Sequence, residues 1–394
     1  MSEEKPGTIR ILKLLLHVAF FVSGISTVLI GQVLPFLSAR FSLNDEQTGF
    51  FFPSQFAGSL IGTLLTSWFG KRNRFLLASL LGCFLMGGGA LLLNSAAFEI
   101  CLFGFFVNGL GIGLTLPAIN MLVLELNPEN STSALSILNF FWGFGAIISQ
   151  PFVDFFSSGN NVGLPTAMLA GVLVVTGVCL AAMPAGIEKK PVSGGADDID
   201  FSIPIWTSPI AWAIAAFNFI HVGFESAMGG WLKTYTQRVD IDAVLDVLPP
   251  ITLYFIFFVV GRGVAPVFFR FLNENRMLLS SLFVVLLGMI VVLSAGGIFL
   301  LSVGASIAGF GTSSIFPTNM SRFTKTFGAS ASRRATPFFI CGTLGATFTT
   351  WFIGFMSNRF NDLRSGMFIL LASVLILIFL QIGLGFQKRI REQV

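Results

Sequence analysis

Apolar runs of twenty residues or so recur along almost the whole chain, each long enough to cross a hydrocarbon layer of about 30 Å as a helix. Twelve can be placed: 14–38, 49–69, 75–95, 99–125, 134–157, 165–186, 207–235, 248–271, 277–294, 297–320, 335–357 and 365–386. No single water-facing core absorbs so much apolar sequence. Hydrophobic residues make up 54% of the chain, 46 of them Phe, and charged residues only 11%, where a soluble domain carries about 25%. The chain is expected to be an all-α membrane protein with twelve transmembrane helices.

The second half repeats the first at an offset of about 200 residues. Gly24 and Gly31 return as Gly223 and Gly230, and Gly109, Gly111 and Pro117 as Gly309, Gly311 and Pro317. Gly145-Ala146 returns as Gly345-Ala346, and Asn73-Arg74 as Asn275-Arg276. The longest break between apolar runs, 188–206, is rich in Pro, Ser, Gly and mixed charge, the composition of a flexible linker. It follows the sixth span. Two pseudo-symmetric six-helix bundles are therefore expected, 1–187 and 207–394. A parallel duplication in a membrane protein places a substrate site between its halves.

The net charge of +4 follows the membrane and is no signal for nucleic acid. With the N-terminus in the cytoplasm, seventeen Lys and Arg fall on the inner side. The outer side holds Arg40, Arg238, Arg359 and Arg364, while Lys233 and Arg262 lie inside spans. Positive charge favours the inner side, so both termini are expected in the cytoplasm, in an inner or plasma membrane. The first apolar run is too long for a cleaved signal and lacks a small-residue cleavage site. Cys83, Cys101, Cys179 and Cys341 lie in apolar runs without paired spacing and are expected to be small buried hydrophobes.

Polar groups in hydrocarbon are costly, so their placement is informative. They cluster in spans one, four, five, seven, ten and eleven, which are expected to surround a polar cavity. Glu225 is the one acid deep in a span, and His221 lies one turn earlier on the same face. The pair suits a proton relay; the plain alternative is a neutral carboxyl latched to a neighbouring helix. Asn120, Asn139 and Trp142 in the first half, with Asn218, Glu225 and Asn319 in the second, suit a polyhydroxylated ligand. Amides donate and accept, and an indole offers a flat apolar face. Ordinary helix packing explains Trp142 equally well. Arg262, between Gly261 and Gly263, fits a structural charge donating to helix-end carbonyls, or a substrate contact. Lys71 and Arg72 in the turn after span two fit gating or orienting charges. There is no Walker loop, nucleophile elbow or metal-ligand cluster, so neither an enzyme, a cofactor nor a self-powered pump is expected.

Twelve spans, a parallel duplication and a central linker resemble the major facilitator superfamily. Pro35, Phe41-Ser42-Leu43 and Gln47-Thr48-Gly49 are similar to its fucose permease-like sugar branch. So are Asn127-Pro128-Glu129 with residues 138–148, and His221-Val222-Gly223-Phe224-Glu225 with Gly230-Trp231 and Thr234-Tyr235. The resemblance implies the major facilitator fold, alternating access, a sugar substrate, coupling to protons or another cation, and a binding role for Asn139. Departures are equally specific. The acids that those symporters carry in helices one and four are replaced here by Gly31 and Leu116, and Glu225 stands where they carry an amide. Ser67 stands where the superfamily's motif between helices two and three has an acid. The expected protein is a monomeric secondary transporter of a neutral monosaccharide with Glu225 as proton carrier. Two alternatives remain open: an exporter of drugs or metabolites with the same fold, and a membrane sensor that binds without transporting.

Overall fold

The computed structural model describes residues 6–127, 131–159, 161–184, 205–239, 248–268, 270–327 and 335–393. Residues 188–204 of the expected linker, and Pro128 and Glu129 of the quoted motif, lie outside the described residues. So do the basic residues Lys189, Lys190, Arg333 and Arg334. The rest is helical, with no strand among the described residues: α1 (Pro6–Phe41), α2 (Asp45–Gly49), α3 (Phe51–Gly70), α4 (Phe75–Leu92), α5 (Phe98–Leu126), α6 (Ser131–Phe156), α7 (Gly163–Ala181), α8 (Pro209–Val239), α9 (Pro250–Phe268), α10 (Glu274–Ser294), α11 (Ile298–Thr312), α12 (Ile315–Phe327), α13 (Thr336–Phe360) and α14 (Leu363–Gln393). Helices satisfy every backbone polar group within one segment, which is what a layer without water demands.

Eleven helical spans are long and apolar enough to cross a bilayer. The twelfth, α3, has 20 residues but carries Ser54, Gln55, Ser59, Thr63, Thr66 and Ser67. Several of these hydroxyls return their hydrogen bonds to helix carbonyls, as Thr66 does to Gly62, Gly113 and Leu114. The tenth expected span is two helices, α11 and α12, separated at Ser313 and Ser314. The interruption lies four residues before Pro317, whose ring crowds the carbonyl at that position. Ser313 Oγ also donates to the Phe310 carbonyl at 2.7 Å, competing with the backbone ladder. In the first half, α5 runs unbroken through Pro117.

The chain forms two compact units, Met1–Leu43 with Phe50–Val192, and Asn44–Gly49 with Ser193–Val394. The first holds α1 and α3–α7, and the second holds α2 and α8–α14. Within each, the repeated glycines do the same work. A side-chain carbon on Gly109 of α5 would collide with the Gln55 carbonyl of α3, and one on Gly309 of α11 with the Tyr254 carbonyl of α9. Gly145 of α6 lies against the Phe21 carbonyl of α1, and Gly345 of α13 against the Phe219 carbonyl of α8. Each crossing brings two backbones together where only hydrogen fits, the device that replaces hydrophobic collapse in lipid. All four cysteines are free thiols, with Cys83 and Cys101 buried.

Residues 44–49 connect α1 to α3 in sequence but pack within the second unit. Asn44 and Gln47 exchange side chain–backbone hydrogen bonds of 3.1 and 2.8 Å, a capping box that starts α2. Asp45 then accepts two bonds from Arg238 of α8, at 2.7 and 2.5 Å, and a third from Ser357 of α13. Glu46 accepts from Asn358 at 3.1 Å. Arg238 was expected to be an outer-loop charge; the structure puts it in the last turn of α8 with a fixed carboxylate partner.

Substitution of the crossing glycines is expected to destabilise their unit. Gly345→Val should cost about 1–3 kcal/mol or prevent folding, because α8 and α13 must separate. Gly88→Ala and Gly171→Ala meet nothing within 4 Å and should be neutral or stabilising by up to about 1 kcal/mol. Thermal unfolding in detergent, followed by tryptophan fluorescence, checks both.

Candidate functional site

The deep carboxylate is built into the second unit by three helices. Glu225 lies near the middle of the 31-residue α8. His221 Nε2 stands 3.5 Å from Glu225 Oε2; the histidine side chain is 1% exposed and the glutamate 25%. Helical i, i+4 spacing alone brings the two together. From α9, Arg262 and Tyr254 both lie within electrostatic reach of Glu225. The Tyr254 side chain is fully buried and its hydroxyl faces Thr312 of α11. The Arg262 guanidinium carbon sits 4.2 Å from the centre of the Phe258 ring, one turn earlier on α9.

This placement corrects the expectation that Arg262 donates to helix-end carbonyls. It makes no such bond among the described residues, and its buried Nε has no hydrogen-bond partner. Gly261, next to it, lets α9 approach Ser313 of α11 closely. The guanidinium is therefore held by ring stacking and by the field of Glu225. The carboxylate is partly exposed, and the buried imidazole 3.5 Å away has no other hydrogen-bond partner among the described residues. No group of three or more metal-ligating side chains occurs among the described residues.

The candidate binding residues divide sharply. In the first unit Asn139 of α6 is exposed, and its Nδ2 donates to the Leu135 carbonyl of its own helix, 2.8 Å away. Asn120 of α5 is half-buried and likewise donates to its own helix, at Leu116, 2.9 Å away. In both amides the bond uses the nitrogen and not the oxygen. Trp142, half-buried one turn from Asn139, points its Nε1 at Thr27 of α1 with a long 3.5 Å contact. No hydrogen bond joins Asn120 to Asn139 or Trp142 among the described residues.

Asn218 and Asn319 in the second unit behave differently. Asn218 is 1% exposed and Asn319 is 0% exposed. Asn218 Nδ2 ties α8 to the Phe338 carbonyl of α13 at 2.9 Å, and Asn319 Nδ2 ties α12 to the Ile214 carbonyl of α8 at 3.3 Å. Asn319 Oδ1 also accepts from Arg322. These are interhelical ties. Lys71 and Arg72 are exposed in the turn after α3, with Arg72 stacked on Trp68.

Two polar networks escaped the sequence. Asn108 of α5 is fully buried and donates to Ser26 of α1 at 2.8 Å and to the Met86 carbonyl of α4 at 3.3 Å, while Gln55 of α3 donates to it at 3.1 Å. One amide joins four helices. Arg322 lies beyond the tenth expected span, yet it is buried on α12 and donates to Gln381 of α14 at 2.6 Å. Gln381 in turn donates to Asn275 of α10 at 3.2 Å. Their polar residues were visible in the sequence; their partners, on helices distant in the chain, were not.

Comparison with known proteins agrees with this architecture. A family model for the Major Facilitator Superfamily matches residues 16–339. The chain is 24% identical over 310 residues to an uncharacterised transporter of that type from Yersinia pestis, covering 76% of this chain and 77% of that one. It is 27% identical over 241 residues to sodium-dependent glucose transporter 1 of Xenopus laevis, covering 57% of this chain but only 47% of that protein. Among solved structures, the fucose:proton symporter of E. coli aligns with a TM-score of 0.62 at 18% identity, covering 96% of this chain and 99% of its own. The inward-open xylose transporter of E. coli aligns with a TM-score of 0.73 at 17% identity, covering 94% and 95%. At these identities the structures speak to fold alone. With a matching family model across most of its length and the same fold, this chain belongs to the Major Facilitator Superfamily, a multi-pass membrane transporter and not an enzyme.

Proposed function

We propose that this protein moves a neutral monosaccharide across an inner or plasma membrane by alternating access, coupled to protons through Glu225. The observation that carries this reading is a partly exposed carboxylate in mid-helix, facing His221 and the Arg262 cation within one unit. Acids rarely persist at such depth without a functional role. Protonation of Glu225 removes one negative charge from the cluster. Deprotonation restores the balance with Arg262. A carrier needs such a two-state charge to link proton movement to conformational change.

Asn139, Asn120 and Trp142 offer the hydroxyl-matching groups. The relative named as a sodium-dependent glucose transporter supports a sugar too, with a different cation. Asn218 and Asn319 are assigned to helix tying. Both termini lie in the cytoplasm on the distribution of basic residues, and the monomer suffices for transport.

The test is a monosaccharide uptake screen in proteoliposomes with an imposed pH gradient, a sodium gradient, or neither. Uptake driven by the pH gradient is expected. Uptake driven by sodium alone transfers the coupling to sodium, and efflux of lipophilic compounds without any sugar flux replaces the sugar assignment with an exporter. Binding without flux identifies a sensor.

Glu225→Gln should abolish pH-driven accumulation and leave counterflow exchange measurable; undiminished accumulation removes Glu225 from the mechanism. Asn139→Ala should raise the half-saturation concentration about tenfold, the loss of one or two ligand hydrogen bonds. Asn319→Ala should lower the thermal unfolding midpoint without changing half-saturation. Uptake kinetics and unfolding curves on the same preparations separate the two roles.

A further inference from the structure

The turn between α3 and α4 is a compact cationic structure with no counter-charge among the described residues. Lys71, Arg72 and Arg74 are all exposed. The backbone is fixed by bonds from Lys71 N to Ser67 O, and from Arg72 N and Arg74 N to Phe69 O, at 3.2, 3.0 and 3.1 Å. Asn73 takes a left-handed conformation with φ of 52°, which Asn tolerates well. Gly70 lets the Phe75 ring close over the turn, since a side-chain carbon there would lie 2.6 Å from Cζ. Three cations are thus presented from a preorganised loop.

The equivalent turn of the second unit is built differently. There Glu274 follows the turn and is engaged by Lys325 at 2.7 Å and by Ser321 at 2.7 Å. Among the described residues no carboxylate lies within ion-pair distance of Lys71, Arg72 or Arg74. The first turn therefore lacks an internal anion.

Directly beside it lies a cavity of about 470 Å³ between α3, α4 and α5, walled by Leu65, Trp68, Phe69, Leu81, Phe84 and Leu110. Its walls are apolar, and Trp68, Leu65 and Leu81 are partly exposed on the outer surface of the unit. Trp68 joins the two features. Its ring lines the cavity, while the Arg72 guanidinium carbon lies 3.6 Å from the ring centre. That stacking holds the cation at the mouth of the groove.

We propose that this groove and turn form a binding site for an anionic phospholipid. One acyl chain lies along the groove, and the phosphate is met by Arg72 with Lys71 and Arg74. Basic pockets between transmembrane helices recognise anionic headgroups in this way, and guanidinium groups suit phosphate oxygens. The site is separate from the Glu225 cluster, so its failure leaves the transport reading standing.

The direct test is native mass spectrometry of the full-length protein from mixed micelles of phosphatidylglycerol and phosphatidylcholine of equal chain length. The wild type should retain phosphatidylglycerol preferentially, and the preference should fall about fivefold for each cation removed in Lys71→Ala, Arg72→Ala and Arg74→Ala. Arg276→Ala in the second turn should leave it unchanged. Equal retention of both lipids, or an unaltered preference in the triple variant, overturns the site. Inorganic phosphate or glycerol phosphate displacing the lipid at micromolar concentration overturns the lipid assignment in favour of a soluble anion. Should the triple variant fail to fold, the wild type decides. A phosphatidylglycerol carrying a photoreactive acyl chain should label the 65–69 and 81–85 segments above all others, and labelling spread evenly over lipid-facing helices contradicts the proposal.

Discussion

A charge held in mid-membrane costs several kcal/mol unless the protein or water meets it. Glu225 lies against His221 on its own helix, with the Arg262 cation of α9 within electrostatic reach. The arrangement belongs wholly to the second unit. It asks for the helices that carry it to be held closely, because the field between Glu225 and Arg262 falls off with distance. Gly261 against Ser313, and Gly309 against the Tyr254 carbonyl, supply that closeness between α9 and α11. The charge cluster and the glycine crossings are one construction.

The same economy governs the other polar groups. In lipid a buried amide either ties helices or serves a ligand, and here the two classes separate by exposure and partner. Asn108, Asn218 and Asn319 reach across to other helices and are sealed. Among the described residues Asn120 and Asn139 bond to their own helices, Asn120 half-buried and Asn139 exposed. An amide that spends its donor on its own backbone keeps its acceptor for something else. This division, more than any single residue, narrows where a solute can be bound.

Much of the fold was legible because its determinants are local. Twenty-residue apolar runs define spans, and the repeated glycines announce a duplication whose crossings the structure then makes at matching places. The interruption of the tenth span was legible in principle from Ser313, Ser314 and Pro317, but Pro117 in the first half passes without a break, so the proline alone does not decide. The His221–Glu225 pair follows from helical spacing. Its Arg262 partner does not, since nothing in the sequence says which face of α9 meets α8. For the same reason the sequence does not say that Asn218 ties α8 to α13 and Asn319 ties α12 to α8. A sequence gives the depth of a polar group along its helix and withholds the neighbour. The docking of Asp45 on Arg238 and Ser357 was hidden likewise, although the Asn44–Gln47 capping box that builds α2 was there to be read.

The account stands on Glu225 being reached by water while the amide ties are not. Cysteine accessibility tests this most directly, in a background with the four native cysteines replaced. Glu225→Cys in membranes should react readily with a charged, membrane-impermeant methanethiosulfonate applied to either face, while Asn218→Cys and Asn319→Cys remain unmodified. A Glu225→Cys protein that reacts only with lipid-soluble reagents, or no faster than the two tied positions, contradicts the central claim.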